Sequence, residues 1–156
     1  LGLSLLLTSC WWTPQEIDPP QPEYEAVTMS RSALESSVQL MPPQSINKSG
    51  KIYIMESLMV INDVNRGFHI YDYSNPEQPV AVAFLNMPGA TDVAMRGLTM
   101  YINQAVDLVT LYYNSSANTI SVQSRNRNVF PQKMVPSGFA DYSQNDQIII
   151  DWIPID

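Results

Sequence analysis

From residue 50 onward, apolar and polar positions alternate in short runs, the two-residue period of a half-buried β-strand. Lys51-Ile52-Tyr53-Ile54-Met55 is the first such run, and Leu58-Met59-Val60-Ile61-Asn62 follows after a two-residue turn. Gly67-Phe68-His69-Ile70-Tyr71-Asp72 comes after the polar Asp63 to Arg66 link, and Val80-Ala81-Val82-Ala83-Phe84-Leu85 makes a fourth run. Between the third and fourth lies Ser74-Asn75-Pro76-Glu77-Gln78-Pro79, where Asn75 can cap its own backbone and two prolines stop strand pairing. Four short strands joined this way predict an antiparallel meander sheet.

The pattern then repeats with a period of 41 residues. Met100-Tyr101-Ile102-Asn103 falls over Met59-Val60-Ile61-Asn62, Val93 and Met95 over Ile52 and Ile54, Leu111-Tyr112 over Ile70-Tyr71, and Ser115 over Ser74. Thr119-Ile120-Ser121-Val122-Gln123 stands where Val80 to Phe84 stood. A period near forty with four strands per unit is the mark of a β-propeller blade. A lone four-stranded sheet cannot cover both its faces, so such units stack. The expected fold class is all-β: four-stranded antiparallel meander sheets stacked as blades of a partial, truncated propeller. The blades are expected at about 51–86 and 92–124, with a partial third at 134–156 around the apolar Gln147 to Ile153 run, in a domain spanning 50–156.

Ahead of residue 50 the pattern is different. Pro14, Pro19, Pro20, Pro22, Pro42 and Pro43 remove amide donors and favour extended backbone, so residues 11–49 read as a proline-rich tether. Within it, Ser30 to Val38 suits a short helix with Ser30 or Ser32 as N-cap and Glu35 reaching back to the first amides. The chain opens Leu1-Gly2-Leu3-Ser4-Leu5-Leu6-Leu7-Thr8-Ser9-Cys10. As a helix that run spans about 15 Å, half the hydrocarbon thickness of a bilayer, which fits a signal-peptide core rather than a membrane span. Leu7-Thr8-Ser9-Cys10 resembles the lipobox of bacterial lipoproteins. That resemblance implies residues 1–10 as a signal peptide truncated at its start, cleavage before Cys10, acylation of Cys10 with palmitate as one of the chains, and an anchor in a membrane of the bacterial cell envelope, expected to be the outer membrane. Trp11 and Trp12 then fall where indoles settle at a lipid–water boundary.

The segments Gly50 to Ile54, Gly67 to Pro76 with Pro79, and Pro88 to Ala94 are similar to the bacterial lipoproteins that carry LVIVD repeats. The Ser-Asn-Pro-x-x-Pro turn is the most specific feature, and the likeness covers about residues 27–131. It implies a propeller-like fold and an envelope address, with no agreed activity. Tyr71 and Tyr73 flank Asp72 where the family more often has an aliphatic and a second polar residue, and Tyr113-Asn114-Ser115-Ser116 is a degenerate version of the turn.

Charge and candidate chemistry narrow the picture only a little. Eight Lys and Arg against fifteen Asp and Glu give a net charge of −7, which argues against nucleic acid as partner. Arg125, Arg127 and Lys133 cluster, but Asn126 and Asn128 interleave them, and the stretch reads as a solvated loop. Asp72, Asp92 and Asp107 sit at strand ends, where a glycosidase can pair two carboxylates but where aspartates more often cap amides. His69, the one histidine, shares a strand face with Tyr71 while Phe68 and Ile70 take the other, and no serine or zinc motif surrounds it. Asn62, Asp63 and Asn65 crowd one loop without EF-hand spacing. Met55, Met59, Met95 and Met100 read as core fillers. Tyr71, Tyr73, Tyr112 and Tyr113 suggest an aromatic surface for sugar or peptide stacking. Asn47-Lys48-Ser49 and Asn114-Ser115-Ser116 match the glycosylation pattern, which carries little meaning in a bacterial lipoprotein.

The expected function is a non-enzymatic, membrane-anchored binding or interaction module, with a protein or glycan partner, no catalytic residues, no metal, no cofactor and an unknown ligand. The rival expectations are the N-terminal part of an exported carbohydrate-active enzyme or polysaccharide-binding protein, and a chain that pairs with itself through open strand edges.

Overall fold

The computed structural model describes residues 23–138 and 147–155; Cys10, the lipobox and the Trp11–Trp12 pair lie outside them. The expected four-strand meander is present as β3 (Ser49–Met55), β4 (Leu58–Asp63), β5 (Gly67–Asp72) and β6 (Val80–Asn86). The second unit is β7 (Ala90–Arg96), β8 (Thr99–Gln104), β9 (Asp107–Asn114) and β10 (Thr119–Asn126). All neighbouring strands in both sheets run antiparallel. The described residues are thus all-β, with 58% of them in strands and 5% in helix.

Register supports the repeat residue by residue and also corrects it. Ile52 pairs with Ile61 as Val93 pairs with Ile102, and Ile54 with Met59 as Met95 with Met100, so the first two strands keep an offset of 41. The third strand does not. The β4–β5 link encloses Val64, Asn65 and Arg66, whereas the β8–β9 link encloses only Ala105 and Val106. Leu111 therefore stands over Tyr71, not Ile70, at an offset of 40. The fourth strand recovers 41: the bulge that skips Val82 between Ala81 and Ala83 recurs where Gln123 is skipped between Val122 and Ser124. Val122, rather than Ile120, stands over Ala81.

The tether expectation fails for residues 24–41. β1 (Tyr24–Ser30) pairs with β11 (Gln147–Pro154) in a two-stranded sheet, α1 (Arg31–Ser36) follows, and β2 (Gln39–Met41) adds a fifth strand beside β6. Apolar residues there, Leu34 above all, find partners that six prolines obscured: Leu34 is fully buried with Ala105, Val106 and Ile148. Ser30 is the N-cap, accepting from the Ala33 amide at 3.2 Å. Glu35 does not reach back; it pairs with Arg127 at 2.8 Å. β11 joins β1 instead of opening a third blade-like sheet.

The two large sheets pack face to face around one core. Leu58, Val60, Phe68, Ile70, Ala83 and Leu85 of the first meet Val93, Met100, Ile102, Val109, Leu111 and Tyr113 of the second. Each fully buried side chain of this size stabilises the fold by about 1.5–3 kcal/mol. The faces in contact are not equivalent. Val93, Met100 and Ile102 correspond to Ile52, Met59 and Ile61, which lie on the opposite side of the first sheet from Val60 and Ile70. The front of one unit thus covers the back of the next, a head-to-tail contact rather than a two-fold sandwich.

One end of this pair is sealed and the other is open. At the sealed end the links are knitted by backbone hydrogen bonds: Asn65 N to Ala90 O at 3.1 Å, Gly89 N to Asn65 O at 2.8 Å, and Ala105 N to Gly89 O at 3.0 Å. The small sheet caps it, with Asn65 donating to Asp151 at 2.5 Å. Gly67, at φ 147°, starts β5 there, and a β-carbon would sit 2.0 Å from the Leu85 carbonyl oxygen. The open end carries the β3–β4 and β7–β8 turns and the β5–β6 and β9–β10 loops.

Candidate functional site

The carboxylates flagged in the sequence are spread over separate positions, and Asp63, Asp92 and Asp107 are each engaged by their own partners. Asp63 is fully buried; it accepts from the amides of Asn47 and Lys48 at 3.1 and 2.8 Å, from Arg66 at 2.8 Å, and meets His69 Nε2 at 3.1 Å. Burial pushes its carboxyl up, but the two amides, His69 and Arg66 outweigh that and hold it below the usual range. His69 is itself buried, its ring 4.8 Å from that of Phe84, which also carries the Arg66 guanidinium at 5.6 Å. Among the described residues no serine or threonine is bonded to this pair, and its geometry is that of a satisfied structural cluster.

Asp107 is also fully buried, between Arg31 at 2.5 Å, Arg125 at 2.8 Å and the Asn128 amide at 3.1 Å. Desolvation works against its charge, and the two guanidinium groups and the amide overcome it and lower its pKa. The solvated-loop reading of the basic cluster is therefore wrong. Arg125 also holds Gln104 at 2.8 Å, Arg127 pairs with Glu35, and Lys133 donates to Asn65 at 2.9 Å with its pKa lowered by burial. Asp92 lies within β7 and joins the sheets by accepting from Lys51 at 2.9 Å and from the Tyr53 hydroxyl. Asn62 lies in β4 rather than in a loop and donates to Gly67 O, while Asn65, in the β4–β5 link, is held by Asp151 and Lys133. Among the described residues no group of three or more His, Cys, Asp or Glu could hold a metal ion.

The aromatic surface is not formed. Tyr113 is buried between the sheets, while Tyr71 lies on the back of the first sheet and Tyr112 on the outward face of the second. Of the four methionines, Met100 is fully buried and Met95 packs on the core.

What the fold does assemble is a pocket of about 500 Å³ at the open end, between corresponding turns of the two units. Glu56 and Ser57 come from the β3–β4 turn, Gly97 and Leu98 from β7–β8, Asp72 and Ser74 from the start of the β5–β6 loop, and Ser115, Ser116 and Asn118 from the β9–β10 loop. Leu58, Val82, Leu98 and Tyr113 make an apolar floor. Comparison with known proteins gives no match to any family model, curated protein or solved structure.

The pocket is acidic and rich in hydroxyls, with no Lys, Arg or His in its lining. The Tyr113 hydroxyl is raised first by burial and then by the Asp72 charge, so the field of that carboxylate reaches the floor. Tyr113 Oη donates to Asn118 Oδ1 at 2.9 Å. Asp72 in turn caps the Ser74 amide at 2.8 Å, and its pKa is lowered first by the Ser74 hydroxyl and then by that amide. Two non-glycine rim residues, Glu56 at φ 53° and Asn118 at φ 48°, sit in the left-handed region, a backbone cost often found at binding sites. Of these residues the sequence reading singled out Asp72, Tyr113 and the serine turn. Glu56 and Gly97 carried a signal it did not use: they lie 41 positions apart, and a glycine at one of two equivalent turns marks a positive φ at both.

Proposed function

We propose that this protein is an exported, lipid-anchored, non-enzymatic binding module whose stacked sheets are propeller-like blades and whose open-end pocket takes a small ligand bearing an amine and hydroxyl groups. The observation that carries the ligand class is the lining itself: Glu56 and Asp72 supply negative charge, four serines and Asn118 supply hydrogen bonds, and no cation opposes them. The volume falls in the range of small-molecule sites, with an apolar floor and few convergent polar groups. The blade reading is supported by the head-to-tail contact between sheets of one repeat, the way propeller blades succeed one another. The anchor rests on the lipobox-like Leu7-Thr8-Ser9-Cys10 and on the likeness to LVIVD lipoproteins.

Two experiments test this. Titration of the protein with a polyamine, an amino sugar and a neutral oligosaccharide, followed by amide chemical shifts, should perturb residues 56–58, 72–74, 97–98 and 115–118 with the amines. Asp72→Asn should weaken that response about tenfold; an equal response to the neutral sugar would remove the charge argument. For the anchor, Cys10→Ala should abolish palmitate labelling and release the protein from membranes, and labelling that survives the change would refute it.

A further inference from the structure

The back of the first sheet carries an unusual amount of open apolar surface. Ile52 is 59% exposed and Ile54 54% exposed, and Met59 and Tyr71 are half-buried beside them on the same face. Segment 42–48 covers only the part of this face near Asp63, through the Asn47 and Lys48 amides and the Gln44–Arg66 contact. The corresponding residues of the second sheet, Val93, Met95, Met100 and Leu111, are buried or packed on the core. What buries them is the front of the first sheet, with Tyr53, Leu58, Val60 and Ile70. The molecule therefore contains a worked example of what covers such a back: the front of another unit.

Only one front stands open among the described residues, that of the second sheet. It presents Ala94, Thr99, Tyr101 and Thr110 at the positions of Tyr53, Leu58, Val60 and Ile70, with Tyr101 38% exposed.

We propose that two copies of this chain associate head to tail, the front of the second sheet of each covering the Ile52–Ile54 back of the other, to close a ring of four sheets. The inference rests on the packing inside one chain and is independent of the pocket and the anchor. A contact between unlike faces closes only if the rotation between units allows it, and about four sheets is the smallest common propeller. It differs from pairing through strand edges, because the backbone hydrogen bonds of β3 and β10 are not used.

The test uses the full chain with Cys10→Ser, so that each added thiol stands alone. Sedimentation equilibrium should give twice the 17.5 kDa of one chain. Ile54→Lys should return the mass to that of one chain while leaving the circular dichroism spectrum unchanged, because Ile54 faces solvent within a single copy. Lys51→Cys and Ala94→Cys chains, mixed and treated with a short bismaleimide, should give the mixed 51–94 product, the counterpart of the Tyr53–Asp92 contact. A single-chain mass up to roughly 0.5 mM, where even weak association shows, would overturn the proposal. So would a predominance of 51–51 or 94–94 products, which report a two-fold contact between like faces.

Discussion

Asp107 shows how a single buried charge holds three parts of the fold together. It joins α1 through Arg31, β10 through Arg125, and the chain after β10 through the Asn128 amide. Asp107→Ala leaves two guanidinium groups facing an empty site, one of them on a side chain only 11% exposed; a loss of about 3–5 kcal/mol is expected by urea unfolding. Asp63 does similar work in the first unit, although by register it stands over Gln104. Both carboxyls are held below their ordinary value in the folded protein, so the stability they contribute is complete above about pH 4 and is lost as pH falls through the lowered folded values. Thermal midpoints attributable to these groups should be flat from about pH 5 to 8 and drop steeply below about pH 4, and Asp63→Asn should flatten part of the acid limb. Gly67→Ala sets a β-carbon against the Leu85 carbonyl at a positive φ and should cost more than the roughly 1–3 kcal/mol of backbone strain alone. Glu56→Gly has the opposite sign: it relieves a left-handed non-glycine residue and should leave stability equal or raised by up to about 1–2 kcal/mol, while weakening amine binding at the pocket.

At the scale of elements, the strands were legible because the period of two holds through most of β3 to β10 and Gly, Asn or Pro punctuates several of the links, though not Glu56-Ser57 or Ala105-Val106. The repeat was legible in its first two strands and mis-set in the next two. A one-residue deletion in the β8–β9 link slides β9, and apolar residues occur on both sides of that slip, so matching by hydrophobicity alone cannot see it. β1 and α1 were missed as part of the fold because their partners, β11 and the β8–β9 turn, lie far away in sequence. The basic cluster misled for the same reason: Arg125 and Arg127 are answered by Asp107 and Glu35, which no local pattern announces. The pocket was only half visible, since it is made by bringing corresponding turns of two units together. Ile102 sits at the centre of the shared core with no exposure. Ile102→Ala should cost about 2–5 kcal/mol and, because the core is common to both sheets, should shift one cooperative transition rather than split it in two.

On the scale of the whole molecule, the ends of the sheet pair have unequal ties. At one, the links exchange backbone hydrogen bonds and the small sheet lies across them. At the other, the Asn118 side-chain amide donating to Val82 O is a hydrogen bond that reaches from one sheet to the other. The pair is built like tweezers, sprung at the knitted pole and able to breathe at the tips. Amide hydrogen exchange should follow that gradient, slow at Ala90 and Ala105 and fast at Ser57, Leu98 and Ala117. A molecule lodged between the tips would be gripped by closing them, and protection would then rise at the turns of both units together.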